Sequence, residues 1–482
     1  MDLSINLIPT NNSFQLDVDM DEKSNAVESQ KFRNLTKKLD LRLIPYLTLL
    51  YLFSFLDRVN IGYARIYRME EELSLTSSQY AWSLSIFFIG YVLFEIPSNL
   101  LLKRFSAGVW ICRIMISWGL ITIALAFVKN FSGLMAGRFF LGVAEAGLFP
   151  GIIYYLSFWY TREEQGLRIA LFYSAASLAG AFSGVLAFGM SYIDGAGGLS
   201  AWKWIFIIEG IPSVLIGILT YWLLPSTPDK VEWLNEEEKD LIINRLLQDH
   251  TDSKATNFRK EQFIEAITDY KVYLYMMISF GITCPLYSLA QLLPTIINQM
   301  GFSKLSSLLM SAPPYAVSVF TIIGLSFHSD KRRERCIHLI TPLALGIIGF
   351  LLTTTTSEKY FQYTGAFISV VGMTNCIPIV FAWLNANMLG STKSGTASAM
   401  VVSFGNIGGI VAGQLFRPYE APRYIKSNLT MLVLALISLI LSVILRHCLI
   451  WENFKLDQLR AEEDYKWERE DGLDIRNFNY ML

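Results

Sequence analysis

Long runs of apolar residues, each closed off by a short polar or charged stretch, set the pattern of this chain. A helix needs about twenty residues to cross roughly 30 Å of hydrocarbon. Runs of that length occur at about 41–63, 80–102, 108–127, 132–156, 168–192, 203–224, 271–297, 307–328, 336–354, 360–386, 395–417 and 427–449. Residues 225–270 part the first six from the last six and contain "PSTPDK" and "NEEEKDLIINRLLQD". Asn235 followed by three glutamates marks a helix start, because its side chain caps free N–H groups and the acids favour the positive end of the helix dipole. The pattern predicts an all-α membrane protein with twelve transmembrane helices in two six-helix bundles, 41–224 and 271–449. A tail at 1–40, a link at 225–270 with a short amphipathic helix, and a tail at 450–482 complete the expected organisation. The charged stretch "WENFKLDQLRAEEDYKWEREDG" in the last tail reads as a solvated surface and regulatory contact, helical or disordered.

Composition agrees, with 53% hydrophobic and only 17% charged residues, far too apolar for an ordinary soluble domain. A net charge of -1 argues against bulk-charge binding of polyanions, and no nucleic-acid motif is present. Cys112, Cys284, Cys336, Cys376 and Cys448 lie singly, without metal-ligand spacing, and are expected as buried free thiols. His250, His328, His338 and His447 show no metal spacing either. The first thirty residues lack a basic, apolar, small-residue order, so no cleavable signal peptide is expected. No nucleophile, phosphate loop or metal set points to an enzyme, and no cofactor is expected.

Lys and Arg concentrate on cytoplasmic loops. Lys31 to Arg42, Lys103, Arg104, Arg162, Arg168 and "DKRRER" at 330–335 mark one side, so both termini are expected in the cytoplasm. Small residues recur every four positions in the fifth run (Ala176, Gly180, Gly184) and the eleventh (Gly405, Gly409, Gly413). Such faces allow close helix approach in lipid. Their recurrence at the fifth position of each half reads as an internal repeat, the organisation of a carrier whose halves rock about a midplane site.

The candidate chemistry starts at "FSFLDRVNIGYAR", 53–65, where Asp57 and Arg58 stand inside an apolar run. A charge deep in a membrane helix costs about 2.5–3.5 kcal/mol on insertion scales, so it faces a cavity or a partner. Neighbours on a helix point about 100° apart, and each therefore needs a separate partner. In "GRFFLGVAEAGLFPG", Arg138 and Glu145 lie seven apart on one face. Depth counting places Asp57 and Arg138 level, predicting an ion pair. Glu145 falls about two turns deeper, with Arg58 as its one basic neighbour. Arg58 is then the cation left facing a cavity, and Glu145 the acid whose protonation responds to ligand. The other reading of these four charges is a structural ion-pair network.

Substrate-binding candidates are Arg58, Asn60, Tyr173, Tyr287, Gln291, Asn375 and Trp383; proton-coupling candidates are Asp57, Arg138 and Glu145. The second half holds almost no acid in its runs and contributes neutral polar groups, which equally suit helix-helix hydrogen bonding. Glu95 before "IPSN" is within reach of cytoplasmic arginines as a gating or structural contact, while Glu209 near an outer helix end reads as an interface anchor or a substrate contact.

The stretches "YLFSFLDRVNIGYAR", "EIPSNLLLKR", "GRFFLGVAEAGLFPGIIYYLSFWYTREEQGLRIALFYSAASLAGAFSG", "WKWIFIIEG", "LPSTPDK", "WLNANMLGSTKSGTASAM" and "FGNIGGIVAGQLFRPYEAPRY" resemble the major facilitator superfamily. Within it they are similar to the anion:cation symporter branch, especially fungal allantoate and nicotinate permease-like carriers. The resemblance covers about 41–425. It implies proton-coupled uptake of a small organic monocarboxylate across a fungal plasma membrane, with a vitamin-like or ureido acid as cargo. The partners it implies are the anion, protons and the bilayer, without an obligatory protein partner. It further implies that Arg58 holds the anion, that Glu145 takes the proton and that Asp57 and Arg138 are linked. Two departures stand out. "SNLLLKRFSAG" replaces the superfamily's acid-containing loop, leaving Glu95, Lys103 and Arg104 as gating candidates, and Ser394 replaces a base after "TK". The alternatives are a non-transporting nutrient sensor, which short tails disfavour, and an exporter or exchanger of the same anions.

Overall fold

The computed structural model describes residues 11–248, 259–421, 423–461 and 478–482, and among them all regular structure is helical. Twelve helices are long and apolar enough to cross a membrane: spans 1 to 6 are Gln30–Ile66, Ser77–Asn99, Ala107–Leu125, Phe131–Leu156, Glu164–Ile193 and Ala201–Leu223. Spans 7 to 12 are Tyr270–Gln299, Lys304–Arg332, Cys336–Thr355, Lys359–Asn387, Thr392–Ala412 and Ile425–Arg460. The helix of span 1 begins earlier than its apolar run, at Asn11, and that of span 12 continues to Ala461. Polar helix formers there extend the helix beyond the membrane-length segment, where no apolar signal marks it.

Short polar caps fix the starts. Thr76 and Gln79 form a reciprocal capping box at span 2, and Asn130 accepts from the Gly133 N–H at span 4. Asn235 and Glu238 do the same for the helix Glu236–Gln248 in the link, with bonds of 2.7 and 3.0 Å.

Span 4 is broken. Its first half ends at Glu145 and its second begins at Leu148, with Gly147 at φ +89° between them. Pro150 supplies the cause: it has no N–H for the Ala146 carbonyl four residues back, and its ring crowds that carbonyl. Gly147 also lacks room, since a Cβ there would lie 2.4 Å from the Ser98 hydroxyl.

At the end of the molecule that carries the termini, here the terminal face, each part of the link is tied to its own bundle. Lys38 pairs with Glu238 at 2.7 Å, Arg245 with Glu164 at 3.0 Å, and Trp233 stacks on Trp159. Lys393 pairs with Glu265 and Asp269 on the other side, at 3.4 and 3.1 Å.

Gly180 and Gly184 of span 5 and Gly409 and Gly413 of span 11 meet the opposite bundle, away from the terminal face, while Gly405 packs on span 7 of its own bundle. A Cβ at Gly184 would lie 2.5 Å from the Leu308 carbonyl of span 8, and one at Gly409 2.4 Å from the Phe88 ring of span 2. Spans 1 and 7 come closest, with a Cβ at Gly62 2.0 Å from the Gln291 carbonyl. On the terminal side the bundles meet again, where Phe149 of span 4 packs edge-on to Phe381 of span 10 at 5.2 Å. Between these two sets of contacts lies a cavity.

Candidate functional site

The cavity is lined from both bundles. Arg58, Tyr51, Phe55, Tyr91, Phe149 and Tyr173 come from the first; Ser279, Thr283, Tyr287, Phe381 and Asn406 are among those from the second. Tyr51 precedes Arg58 by seven residues, two turns along one face, which places ring and guanidinium on the same wall.

Arg58 is the polar centre. Its Nη2 donates to Glu145 Oε1 at 2.5 Å, and its Nη1 to the Tyr287 hydroxyl at 3.3 Å. Tyr287 in turn donates to Asn406 Oδ1 at 2.8 Å, so the chain of bonds runs from span 4 through spans 1 and 7 to span 11. Ser54 donates a second bond to Glu145 Oε1 at 2.5 Å. The rings of Phe55, Phe87, Tyr91 and Tyr287 surround the guanidinium at 5.4–5.9 Å. Such rings favour a cation when it is shielded from water. Glu145 is the last residue before the break in span 4, so its helix ends where the carboxylate meets Arg58.

Two expectations about these charges are corrected. Arg58 is not an unpaired cation, because Glu145 occupies it. Asp57 and Arg138 do not form an ion pair: Asp57 Oδ2 accepts from Trp118 Nε1 at 2.7 Å and Ser213 Oγ at 2.9 Å, while Arg138 Nε donates to the Ser83 carbonyl at 3.3 Å. The Arg138 guanidinium lies over the Phe87 ring at 4.9 Å. Equal depth was the premise, but depth does not fix the direction a side chain takes around its helix. Asp57 turns toward spans 3 and 6, and Arg138 toward span 2.

Tyr173 and Tyr287 line the cavity, as Arg58 does, and four other substrate candidates lie elsewhere. Asn60 and Glu209 are both buried inside the first bundle. Glu209 is therefore neither an interface anchor nor part of the cavity lining. Gln291 is buried where spans 1 and 7 close together. Asn375 donates to Thr321 Oγ1 and the Val371 carbonyl, joining spans 10 and 8. Trp383 Nε1 donates to the Met481 carbonyl at 2.8 Å, close to the terminal face.

Of the gating candidates, Glu95 reaches no arginine: it is fully buried and accepts from Ser403 Oγ of span 11 at 2.9 Å. Its helix face turns toward the other bundle rather than toward the loop. Arg104 is exposed at the end of its helix, and the Lys103 side chain lies outside the described residues. A second, smaller cavity with Gln362, Arg423 and Asn428 in its wall lies away from Arg58 in the second bundle.

The sequence of residues 47–413 matches the family model of the Major Facilitator Superfamily. The chain belongs to this superfamily. Among its relatives is an uncharacterised transporter of Schizosaccharomyces pombe, 35% identical over 96% of this chain and 92% of that protein. A protein named as a metabolite transport protein, NicT, of Pseudomonas putida is 34% identical over 85% of this chain and 91% of its own length. One named as a tartrate transporter, of Agrobacterium vitis, is 33% identical over 78% and 86%. The fold matches that of a bacterial homologue of the human lysosomal transporter Spinster in an inward-facing, occupied conformation. That match has a TM-score of 0.61 at 15% identity, over 84% of this chain and 95% of the other. This superfamily member is thus a multi-pass integral membrane transport protein and not an enzyme.

Proposed function

We propose that the protein takes up a small organic monocarboxylate together with a proton, by alternating access, across a fungal plasma membrane with its terminal face in the cytoplasm. The observation that carries this reading is the Arg58–Glu145 pair in the wall of a cavity shared by both bundles. A carboxylate arriving in the cavity competes with Glu145 for the guanidinium, whose fork suits two oxygens of one carboxylate. Glu145 leaves the pair as it takes up a proton, so the loaded site carries one cation and one anion, as the empty site does. That equality allows the bundles to rock in either state without an unpaired buried charge, which would cost several kcal/mol. One proton per monoanion is electroneutral, and one pH unit then drives uptake by about 1.4 kcal/mol. Vitamin-like acids such as nicotinate, and ureido acids such as allantoate, have the charge this site takes. A relative named for tartrate, a dicarboxylate, supports an organic anion as the cargo.

The test is uptake into liposomes of labelled nicotinate, allantoate, pantothenate and tartrate, with and without an inward proton gradient, by the parent and Glu145→Gln. Accumulation that requires the gradient in the parent, with exchange but no accumulation in the variant, is the expected result. Gradient-independent accumulation by both proteins would overturn the proton role.

A further inference from the structure

Residues 478–482, Phe-Asn-Tyr-Met-Leu, are seated in the terminal face of the second bundle, and the side chains that hold them grip the main chain. Asn387 of span 10 accepts from the Met481 N–H at 2.7 Å and donates to the Met481 carbonyl at 3.0 Å. Asn453 of span 12 does the same for the preceding residue, accepting from the Tyr480 N–H at 2.7 Å and donating to its carbonyl at 2.9 Å. Two amide side chains thus clasp consecutive residues as neighbouring strands would, meeting both main-chain groups of each. Trp383 adds a second donor to the Met481 carbonyl. Lys271 of span 7 donates to the Tyr480 hydroxyl at 3.3 Å and lies over its ring. The Leu482 carbonyl accepts from the N–H of Arg335 at 2.5 Å, at the start of span 9.

The places it touches lead to the contacts between bundles. Span 10 carries Asn387 and, six residues earlier, Phe381, which closes on Phe149 of span 4. Arg335 is ion-paired with Asp330 of span 8, and Asp330 stands against span 5, where a Cβ at Gly166 would lie 2.7 Å from its Oδ1. One short segment therefore binds span 10, which meets span 4, and the start of span 9, whose Arg335 holds the span 8 acid that stands against span 5.

We propose that residues 478–482 are an intrachain latch: docked, they hold the terminal face of the carrier closed, and their release lets spans 8 and 10 draw away from spans 5 and 4. The clasp reads main chain, so it tolerates changes of side chain in the segment and fails where an N–H is removed. Met481→Pro removes one such N–H without touching the bundle.

The test places spin labels on the full chain at Arg104→Cys and Lys331→Cys, both exposed at the terminal face and one in each bundle, with Cys448→Ser so that the remaining native thiols are buried. Met481→Pro and Asn387→Leu should each shift the distance distribution to longer values. Excess acetylated pentapeptide Phe-Asn-Tyr-Met-Leu should restore the short distance in Met481→Pro and not in Asn387→Leu. The same peptide with proline at its fourth position should bind about tenfold more weakly, the equivalent of one lost hydrogen bond. Should a label at Asn479 show the segment released in Met481→Pro while the distance between bundles stays unchanged, the latch is refuted. A segment that stays immobile in Met481→Pro refutes the clasp itself.

Discussion

Arg58 reaches Glu145 with one end of its guanidinium, at 2.5 Å, and Tyr287 of the opposite bundle with the other, at 3.3 Å. A single cation thus spans the seam along which the two bundles must separate. Any anion that engages Arg58 alters a bond within the first bundle and a bond across the seam together.

Shortening that cation should abolish transport. Arg58→Ala leaves Glu145 buried without its partner, a change of about 2–5 kcal/mol in measured cases, so initial uptake should fall at least about 30-fold. Arg58→Lys keeps the charge but loses the planar fork, and about tenfold loss is expected. Initial rates in liposomes at matched protein density check both, and parent-like uptake by Arg58→Ala would remove Arg58 from the site.

Closure between spans 1 and 7 rests on Gly62. A methyl there would lie 2.0 Å from the main-chain oxygen of Gln291, and no side-chain rotation relieves a backbone clash. Gly62→Val should hold the face opposite the termini open. Ser311→Cys, buried in the parent where Ser311 bonds Tyr63, should then react several-fold faster with an impermeant maleimide. Unchanged labelling would mean that the contact is not a closure.

Trp118→Phe removes the indole donor to Asp57 while keeping an aromatic ring in the core. The lost bond belongs to a buried carboxyl group, and the expected cost is roughly 1–3 kcal/mol. Thermal unfolding in detergent should show a lower midpoint than the parent, and Trp118→His, which restores a ring N–H, should recover part of it.

The link gives a pH dependence outside the membrane. Slight burial would push Glu238 up, but the Lys38 ammonium and the Asn235 N–H outweigh it and hold its carboxyl below the ordinary value. A group lowered in the folded state adds stability that is complete above its unfolded value, about pH 4.3, and is lost as pH falls through the lowered one. Protease cleavage of the link should therefore quicken on acidification in the parent, whereas Glu238→Gln should be cut at the faster rate already at neutral pH.

The spans were legible because hydrocarbon demands about twenty apolar residues wherever a helix crosses it. The charges at 57, 58, 138 and 145 were legible as a set for the same reason, since each breaks such a run. Their pairing was not. Counting residues gives height along a helix, whereas partners are chosen by rotation about its axis, and Asp57 turned to Trp118 and Ser213. Trp383 looked like a cavity aromatic because its real partner, Met481, lies 98 residues away in a polar tail. Asn406 carries no signal in "FGNIGG" until span 11 is placed beside Tyr287.

Among the described residues the buried acids and the two buried intramembrane arginines, Arg58 and Arg138, all belong to the first bundle, while the second faces the cavity with Ser279, Thr283, Leu286, Tyr287, Ile377, Phe381, Val402 and Asn406, none of them charged. The charge of the cavity wall thus comes from one half of the chain, and the other half adds an uncharged wall. Substitutions among those eight neutral positions can reshape the cavity while its charge inventory stays intact, so the shape of this chamber and its charge are free to vary independently.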